Sequence, residues 1–238
     1  MKSEKLTVKN IELKNGAVII ADVHYKRGDE SFLNLLNLWI QNPPPQVFFL
    51  GDIFHLLLPF KFLRNYNEEA IKLINILSQK TDVYYTPGNH DFNIEKIFQN
   101  VKISEAFEDK KRSVLLTHGD LTDSDPYYRL YTSLIRNTVF EAVLNVLSLN
   151  FINGWLFKKI LKKKIKCEKI ENFENKIKDK LKSYDYGIII EGHYHQNKIL
   201  HFYDRVYINL PAFICTKSYI LIQLDNNPII KEIKYDGR

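Results

Sequence analysis

Seven side chains able to bind a divalent cation recur at one kind of position along the chain: Asp22, His24, Asp52, Asn89, His118, His193 and His195. Carboxylate, imidazole and amide oxygen are the donors a hydrolytic metal site uses when positions must stay open for water and substrate. Asp22 and His24 stand two apart, as do His193 and His195, and in an extended backbone residues i and i+2 project to the same side. Each pair is therefore expected to reach one ion. Asp52 follows Gly51, which lets the chain turn sharply, and its two oxygens suit it to bridge two ions. Asn89 follows Gly88 and offers an amide oxygen. His90, beside Asn89, is placed to donate a proton to a leaving oxygen or to hydrogen-bond a phosphate. Asp91 either orients a neighbouring histidine or caps a following helix, and Asp120 either supports His118 or holds a turn. A single histidine or Gly-Asp pair says little. The ordered set DxH, GD, GNHD, HGD and GHxH points to two-metal hydrolysis.

Every member of that set ends a short apolar run. Val18-Ile19-Ile20-Ala21 leads into Asp22, Val47-Phe48-Phe49-Leu50 into Gly51-Asp52, and Val83-Tyr84-Tyr85-Thr86 into Pro87-Gly88-Asn89. Val114-Leu115-Leu116-Thr117 leads into His118, and Ile188-Ile189-Ile190-Glu191 into Gly192-His193. Runs that are apolar on both faces read as strands buried between two layers. Helical spacing lies between them: Phe32, Leu35, Leu36, Trp39 and Ile40 before Pro43-Pro44-Pro45, then Ala70, Leu73, Ile74 and Leu77 with Asn67 as cap. Alternation of this kind gives an α/β core, with the clusters at the carboxyl ends of strands, where open α/β sheets bind ligands. After His195, residues 206–210, 218–224 and 229–233 read as strands without helices, joined at the end by an Asp225-Asn226-Asn227-Pro228 turn. They suggest a second sheet and a sandwich flanked by helices.

Residues 125–184 interrupt the strands. Asp125-Pro126 is a helix start, followed by an apolar stretch from Leu130 to Phe157 and six lysines between 158 and 166. A further helix places Ile170, Phe173, Ile177 and Leu181 on one face. The region reads as a helical insertion, or cap.

Bulk properties narrow the alternatives. At 238 residues the chain can bury a substantial core. Its 45% hydrophobic and 26% charged content describes a globular protein, not a disordered one. The net charge of +6 suits a polyanionic partner without choosing one. No zinc-finger, RNP or recognition-helix pattern accompanies it, so a nucleic-acid partner is not expected. Cys167 and Cys215 form no CxxC and suggest no disulfide framework. The basic start at Met1 is not followed by a long apolar run, and no apolar stretch reaches the roughly 18 residues of a membrane span. A cytoplasmic location is expected.

From Ala17 to Asn209 this motif set resembles the calcineurin-like metallophosphoesterase superfamily. The resemblance implies a single domain over residues 1–238, a four-layer α/β/β/α sandwich with the 125–184 insertion as a cap. It implies one metal on Asp22, His24, Asp52 and His195 and a second on Asp52, Asn89, His118 and His193, bridged by Asp52. Mn²⁺ is the expected ion, with Fe or Zn²⁺ as alternatives. Such ions lower the pKa of an attacking water and stabilise charge on phosphoryl oxygens.

Within that superfamily, Gly88-Asn89-His90-Asp91-Phe92, His118-Gly119-Asp120, Thr122-Asp123-Ser124-Asp125-Pro126-Tyr127-Tyr128-Arg129 and Gly192-His193-Tyr194-His195 resemble the UDP-2,3-diacylglucosamine hydrolases of the lipid A pathway. That resemblance implies cleavage of the substrate pyrophosphate to UMP and lipid X. It implies substrate contacts at Asn89, His90, Asp125, Tyr128 and His193, an apolar insertion for the acyl chains, and peripheral association with an anionic inner-membrane surface. Two features depart from it: His90 stands where many of those hydrolases carry Arg, and their Ser/Asn/Lys cluster is not recognisable around residues 166–173. His90 instead fits the wider superfamily, whose members act on soluble nucleotides, nucleic acids or phosphoproteins.

Overall fold

The structure is a computed structural model that describes residues 6–123, 127, 159, 161–224 and 228–237. Asp125, Tyr128, the expected helix start at Asp125-Pro126 and the apolar stretch from Leu130 to Phe157 lie outside these residues, as does most of the turn at 225–227.

Among the described residues, twelve strands form two six-stranded sheets. The first has the order β1 (Val8–Asn10), β6 (Ala106–Asp109), β7 (Val114–Thr117), β8 (Ile188–Glu191), β10 (Arg205–Asn209), β9 (Lys198–Phe202). The second has the order β12 (Pro228–Lys234), β11 (Ser218–Leu224), β2 (Val18–Ile20), β3 (Gln46–Leu50), β4 (Asp82–Thr86), β5 (Lys102–Ile103). The five apolar runs are strands at the expected places, but they are shared between the sheets. β2, β3 and β4 run parallel in the second sheet, while β7 and β8 run parallel in the first. The late strands do not make a sheet of their own. β10 joins β8, and β11 pairs antiparallel with β2. Local sequence pattern reports that a strand is buried, not which sheet buries it.

The alternation along β3 shows the layering. Phe48 faces a core between the sheets, where it stacks on Tyr84 at 4.6 Å and meets Phe107 edge-on at 6.3 Å. Val47 and Phe49 face the opposite way, into a core shared with Phe32, Leu36, Ala70 and Ile74. Those residues come from α1 (Glu30–Gln41) and α3 (Glu68–Leu77), with the short α2 (Lys61–Tyr66) between them. On the far side of the first sheet, Leu115, Ile189 and Tyr207 pack with Phe173, Ile177 and Leu181, mostly from α4 (Phe173–Lys180). A short helix, α5 (Phe213–Thr216), follows β10. The layers therefore run α/β/β/α, and a strand buried on both faces needs no polar side.

Two local expectations are corrected. Asn67 stands at the N-cap of α3, but its side chain makes no capping bond. Its Nδ2 donates to the Leu56 and Leu63 carbonyls instead, at 3.0 and 2.9 Å, tying α2 to the loop after β3. Cys167 and Cys215, expected to give no disulfide framework, are joined in a disulfide with Cα atoms 5.9 Å apart. They lie 48 residues apart in sequence, so only the tertiary fold brings them within bridging distance. Among the described residues no helix is long and apolar enough to cross a membrane.

Truncating Phe48 removes one of the rings packed between the two sheets. Phe48→Ala is expected to lower the unfolding free energy by about 3–5 kcal/mol, read from the urea midpoint at constant m-value. A loss below about 1 kcal/mol would show that the inter-sheet core closes over the void.

Candidate metal centre

All seven expected donors lie at the ends of strands from both sheets, and the backbone there is not extended. Asp22, His24 and Asp52 have φ of 52°, 48° and 52°, and His193 and His195 have φ of 67° and 58°. Non-glycine residues adopt this left-handed region uncommonly and at a cost, and such positions gather at functional sites. Asp22 and His24 thus converge because the chain coils as it leaves β2, and not through strand alternation. Two glycines make room. A Cβ on Gly51 would lie 2.4 Å from the His118 ring, and one on Gly192 would lie 2.7 Å from Asp22 Oδ2.

Ligand atoms of Asp22, His24 and His195 lie within 4.8 Å of one another, as do those of Asp22, Asp52 and His118, and those of His24, Asp52 and His90. Asp52 Oδ2 stands 3.8 Å from His24 Nε2 and 3.6 Å from His118 Nε2, and Asp22 Oδ1 stands 3.2 Å from His195 Nε2. His193 is gathered less tightly. Its ring lies 5.2 Å from that of His118, but its Nε2 faces Asp123 Oδ2 at 3.7 Å.

The donor atoms fit divalent ions. His118 Nδ1 bonds the Leu50 carbonyl at 2.8 Å and His195 Nδ1 bonds the Lys166 carbonyl at 2.8 Å. A carbonyl only accepts, so each Nδ1 carries the hydrogen and each Nε2 offers a lone pair when the ring is neutral. Both ring nitrogens of His24, Nε2 of His118 and Oδ1 of Asn89 are buried without a hydrogen-bond partner. Leaving such atoms unpaired costs about 1–3 kcal/mol each, and coordination would satisfy them.

Charge is balanced by mutual compensation. Burial alone would raise Asp22 and Asp52, yet both are held below the usual carboxylate range, Asp22 by His195 and His118, and Asp52 by His118, His90 and His24. Burial works against protonation of His118, but Asp52, Asp120 and Asp22 drive it up to about 10. Burial pulls His24 down to about 3 despite Asp52. Burial also opposes the charge on His195, which is nevertheless raised by its bond to Asp22.

The supporting residues differ from those expected. Asp91 neither orients a histidine nor caps a helix. Its carboxylate accepts from the amides of Asp52, Ile53 and Gly88 at 3.0, 2.6 and 2.8 Å, from Phe54 N at 3.2 Å, and from Tyr85 Oη at 2.5 Å. It therefore staples the loop bearing Asp52 to the loop bearing Asn89. Burial and the Asp52 charge raise it to about 6, against the pull of those donors. Asp120 is buried and adds its charge beside His118.

Sequence pattern missed Lys180, Glu191 and Asn209. Lys180 Nζ is buried, and it donates to Glu191 Oε2 at 2.7 Å and to the Gly119 carbonyl at 2.6 Å. Tyr207 and Tyr184 hydroxyls also donate to Glu191. Asn209 Nδ2 donates to the Gly192 carbonyl at 2.6 Å, and its Oδ1 accepts from Gln196 N at 2.7 Å. These residues tie the HGD loop to the GHYH loop. The signal available in sequence was a Glu in an otherwise apolar β8.

His90 sits at the rim. Its backbone N–H donates to Asp52 Oδ1 at 2.9 Å, and its Nδ1 bonds the His55 carbonyl at 2.7 Å, which leaves Nε2 for the site. A cavity of about 490 Å³ opens here, lined by His24, Asp52, Asn89, His90, His193 and His195 and by Lys163, Lys164, Lys166 and Lys169.

A four-layer α/β sandwich with buried Asp, His and Asn donors at the strand ends of both sheets defines a metal-dependent hydrolase. Residues 17–197 match the calcineurin-like phosphoesterase family, to which the chain belongs. No curated relative matches it in sequence. Among solved structures it is similar to a predicted phosphoesterase of Streptococcus pneumoniae TIGR4, at 15% identity and TM-score 0.46 over 96% of this chain and 94% of that one. A dimetal phosphatase of Danio rerio is 13% identical with TM-score 0.47, over 93% of this chain and 99% of that one. The phosphoesterase Yfce of E. coli is 15% identical with TM-score 0.44, over 92% and 99%. The assignment rests on the family match and not on these overlaps.

His118 gives the site a measurable proton count. Raised from its ordinary value of 6.5 to about 10 in the metal-free protein, it is protonated at neutral pH, and its contribution to stability is lost as pH rises through about 10. A cation must displace that proton. Calorimetry of Mn²⁺ binding at pH 7.5 in buffers of different ionisation enthalpy is expected to show about one proton more released by the wild type than by His118→Asn. Equal proton release would refute the assignment.

Proposed function

We propose that this hydrolase cleaves the pyrophosphate of UDP-2,3-diacylglucosamine to UMP and lipid X, working at an anionic membrane surface with Mn²⁺ as its ion. The observation that carries the reading is the composition of the cavity wall: the lysine-rich end of the insertion lines the same space as the metal donors. A pyrophosphate needs cations on both sides of the bond that breaks, and Lys163, Lys164, Lys166 and Lys169 would supply one set in the cavity they share with the candidate metal donors. The acyl chains need apolar surface. This reading assigns that surface to the insertion, whose Leu161 packs on a buried cluster of Leu56, Leu58, Phe60, Leu63 and Phe92.

Asp22, His24, Asp52 and His195, with Asn89, His118 and His193, would hold two divalent ions. When bound, these would stabilise charge on phosphoryl oxygens and lower the pKa of the attacking water. The chain's own contribution is placement and proton supply. Asp52, fixed by the bond from His90 N and by Asp91 behind it, keeps both donor groups in register. When the ring carries a proton on both nitrogens, His90 Nε2 donates to a phosphoryl or leaving oxygen, with Nδ1 held by the His55 carbonyl.

His90 itself favours a second reading, a phosphoesterase of soluble nucleotides, because the lipid-pathway resemblance calls for Arg there. Assay of purified protein with Mn²⁺ against UDP-2,3-diacylglucosamine and a panel of nucleotides separates the two. UMP release well above an Asp22→Ala control, with faster turnover of the lipid substrate than of any nucleotide, is expected. Equal or faster nucleotide turnover overturns the lipid assignment. His90→Ala is expected to lower kcat by about 10²–10⁴-fold with a smaller change in KM; an unchanged kcat would remove His90 from the proton-supplying role.

A further inference from the structure

The Cys167 and Cys215 disulfide joins two segments that meet nowhere else in sequence but touch the same pair of metal donors. Cys167 lies in the segment 163–170, which forms neither helix nor strand and lines the cavity. The preceding residue, Lys166, gives its carbonyl to His195 Nδ1 at 2.8 Å. Cys215 lies in α5, where the preceding residue, Ile214, donates its N–H to the Asp22 carbonyl at 3.1 Å. Asp22 Oδ1 and His195 Nε2 are themselves 3.2 Å apart. The path from Asp22 through Ile214, Cys215, Cys167, Lys166 and His195 back to Asp22 is thus a closed circuit around one donor pair, with a single covalent link across it.

The rest of the segment is rich in positive charge, and at its near end Lys26 Nζ donates to the Lys163 carbonyl at 3.4 Å. Lys162, Lys163, Lys164, Lys166 and Lys169 repel one another. Their counterweights are polar bonds at the distal end: Ile170 N to Gln196 Oε1 at 2.8 Å, Lys169 Nζ to the Gln196 carbonyl at 2.5 Å, and Gln196 Nε2 to the Glu168 carbonyl at 3.2 Å. Leu161 and Ile170 pack on apolar clusters at its two ends. Between them the disulfide fixes where the Lys166 carbonyl stands. Groups that hold the far nitrogen of a ligating histidine set its orientation and basicity, and losing one typically costs 10–100-fold in metal affinity.

We infer that the Cys167 and Cys215 disulfide is a positioning element of the metal centre: closed, it presses the Lys166 carbonyl onto His195 and so keeps Nε2 of that ring on Asp22 and its ion; open, it releases both the ring and the lysine-bearing cavity wall. Cys167 is exposed, so a reductant can reach the bond. With a trialkylphosphine and water, phosphorus is oxidised by two electrons to the phosphine oxide, water provides its oxygen, and the two protons of that water end on the two sulfurs. The inference rests on Asp22 and His195 being metal donors, as the family resemblance assigns them.

The test uses the full chain, air-oxidised or treated with a trialkylphosphine, which binds Mn²⁺ less than a thiol would. Free-thiol titration and intact mass report the state of the bond, Mn²⁺ titration calorimetry reports the donors, and a thermal melt reports folding. The oxidised chain is expected to show no free thiol and two Mn²⁺ sites. Reduction is expected to weaken one site by about 10–100-fold, to raise KM for the phosphoester substrate, and to be reversed by reoxidation. Cys167→Ser should match the reduced chain and ignore the phosphine. Two free thiols in the air-oxidised chain, or identical Mn²⁺ titrations before and after reduction of a chain that stays folded, overturn the inference. Asp22→Ala separates it from its premise. Unchanged Mn²⁺ binding in that variant overturns the donor assignment and the inference together, whereas loss there with no effect of reduction overturns the inference alone.

Discussion

Two carboxylates, Asp22 and Asp52, are buried side by side where the two sheets meet, largely shielded from bulk solvent. Ionised groups in such surroundings are tolerated only when neighbouring charge and hydrogen bonds replace hydration. His118 and His195 supply most of the first, and backbone N–H groups of His90 and His193 supply the second. Much of the molecule can be read as the means of keeping these partners in place. Asp91 gathers the amides of one loop pair, Asn209 and the Lys180 and Glu191 pair gather the other, and glycines at 51 and 192 leave the volume that the imidazole and carboxylate need. The strands deliver the donors to the seam, while the loops do the aiming.

This division explains what the sequence discloses. A strand covered on both faces must be apolar throughout, so the runs before Asp22, Asp52, Asn89, His118 and His193 are visible as such, and α1 and α3 show their periodicity for the same reason. The partition of those strands between sheets depends on pairing across long separations, so the C-terminal pattern does not disclose that β10 joins β8 while β11 joins β2. The convergence of Asp22 and His24 was expected from extended geometry and is reached through left-handed turns, which no residue type at those positions announces. Asp91 looks like a cap or a histidine partner in sequence because its actual partners, four backbone N–H groups and one tyrosine hydroxyl, are not encoded by side-chain type nearby. The cysteines carried no motif, and only the fold brings them together. Asp125 and Tyr128 lie outside the described residues.

Lys180 illustrates how a buried charge ties regions together. Removing one member of a buried ion pair leaves the other uncompensated, at a cost of about 3–5 kcal/mol. Its Nζ contacts Glu191 at the end of β8 and the Gly119 carbonyl in the turn after β7. The helix that carries it, α4, buries Phe173 and Ile177 against the first sheet. Although the stretch reads in sequence as the tail of the insertion, its apolar face and its one buried cation both belong to the layer that supports the histidines.

That places a limit on how the protein can be recombined. A scheme that swaps the region from 125 to 184 as a cassette, to move specificity from one phosphoesterase to another, would carry off α4 and with it the ammonium group that neutralises Glu191. The recipient would inherit a foreign cap and lose a strut beneath its own candidate donors. The serviceable joint lies before Phe173, so the portable unit is shorter than the interruption in the strand pattern suggests.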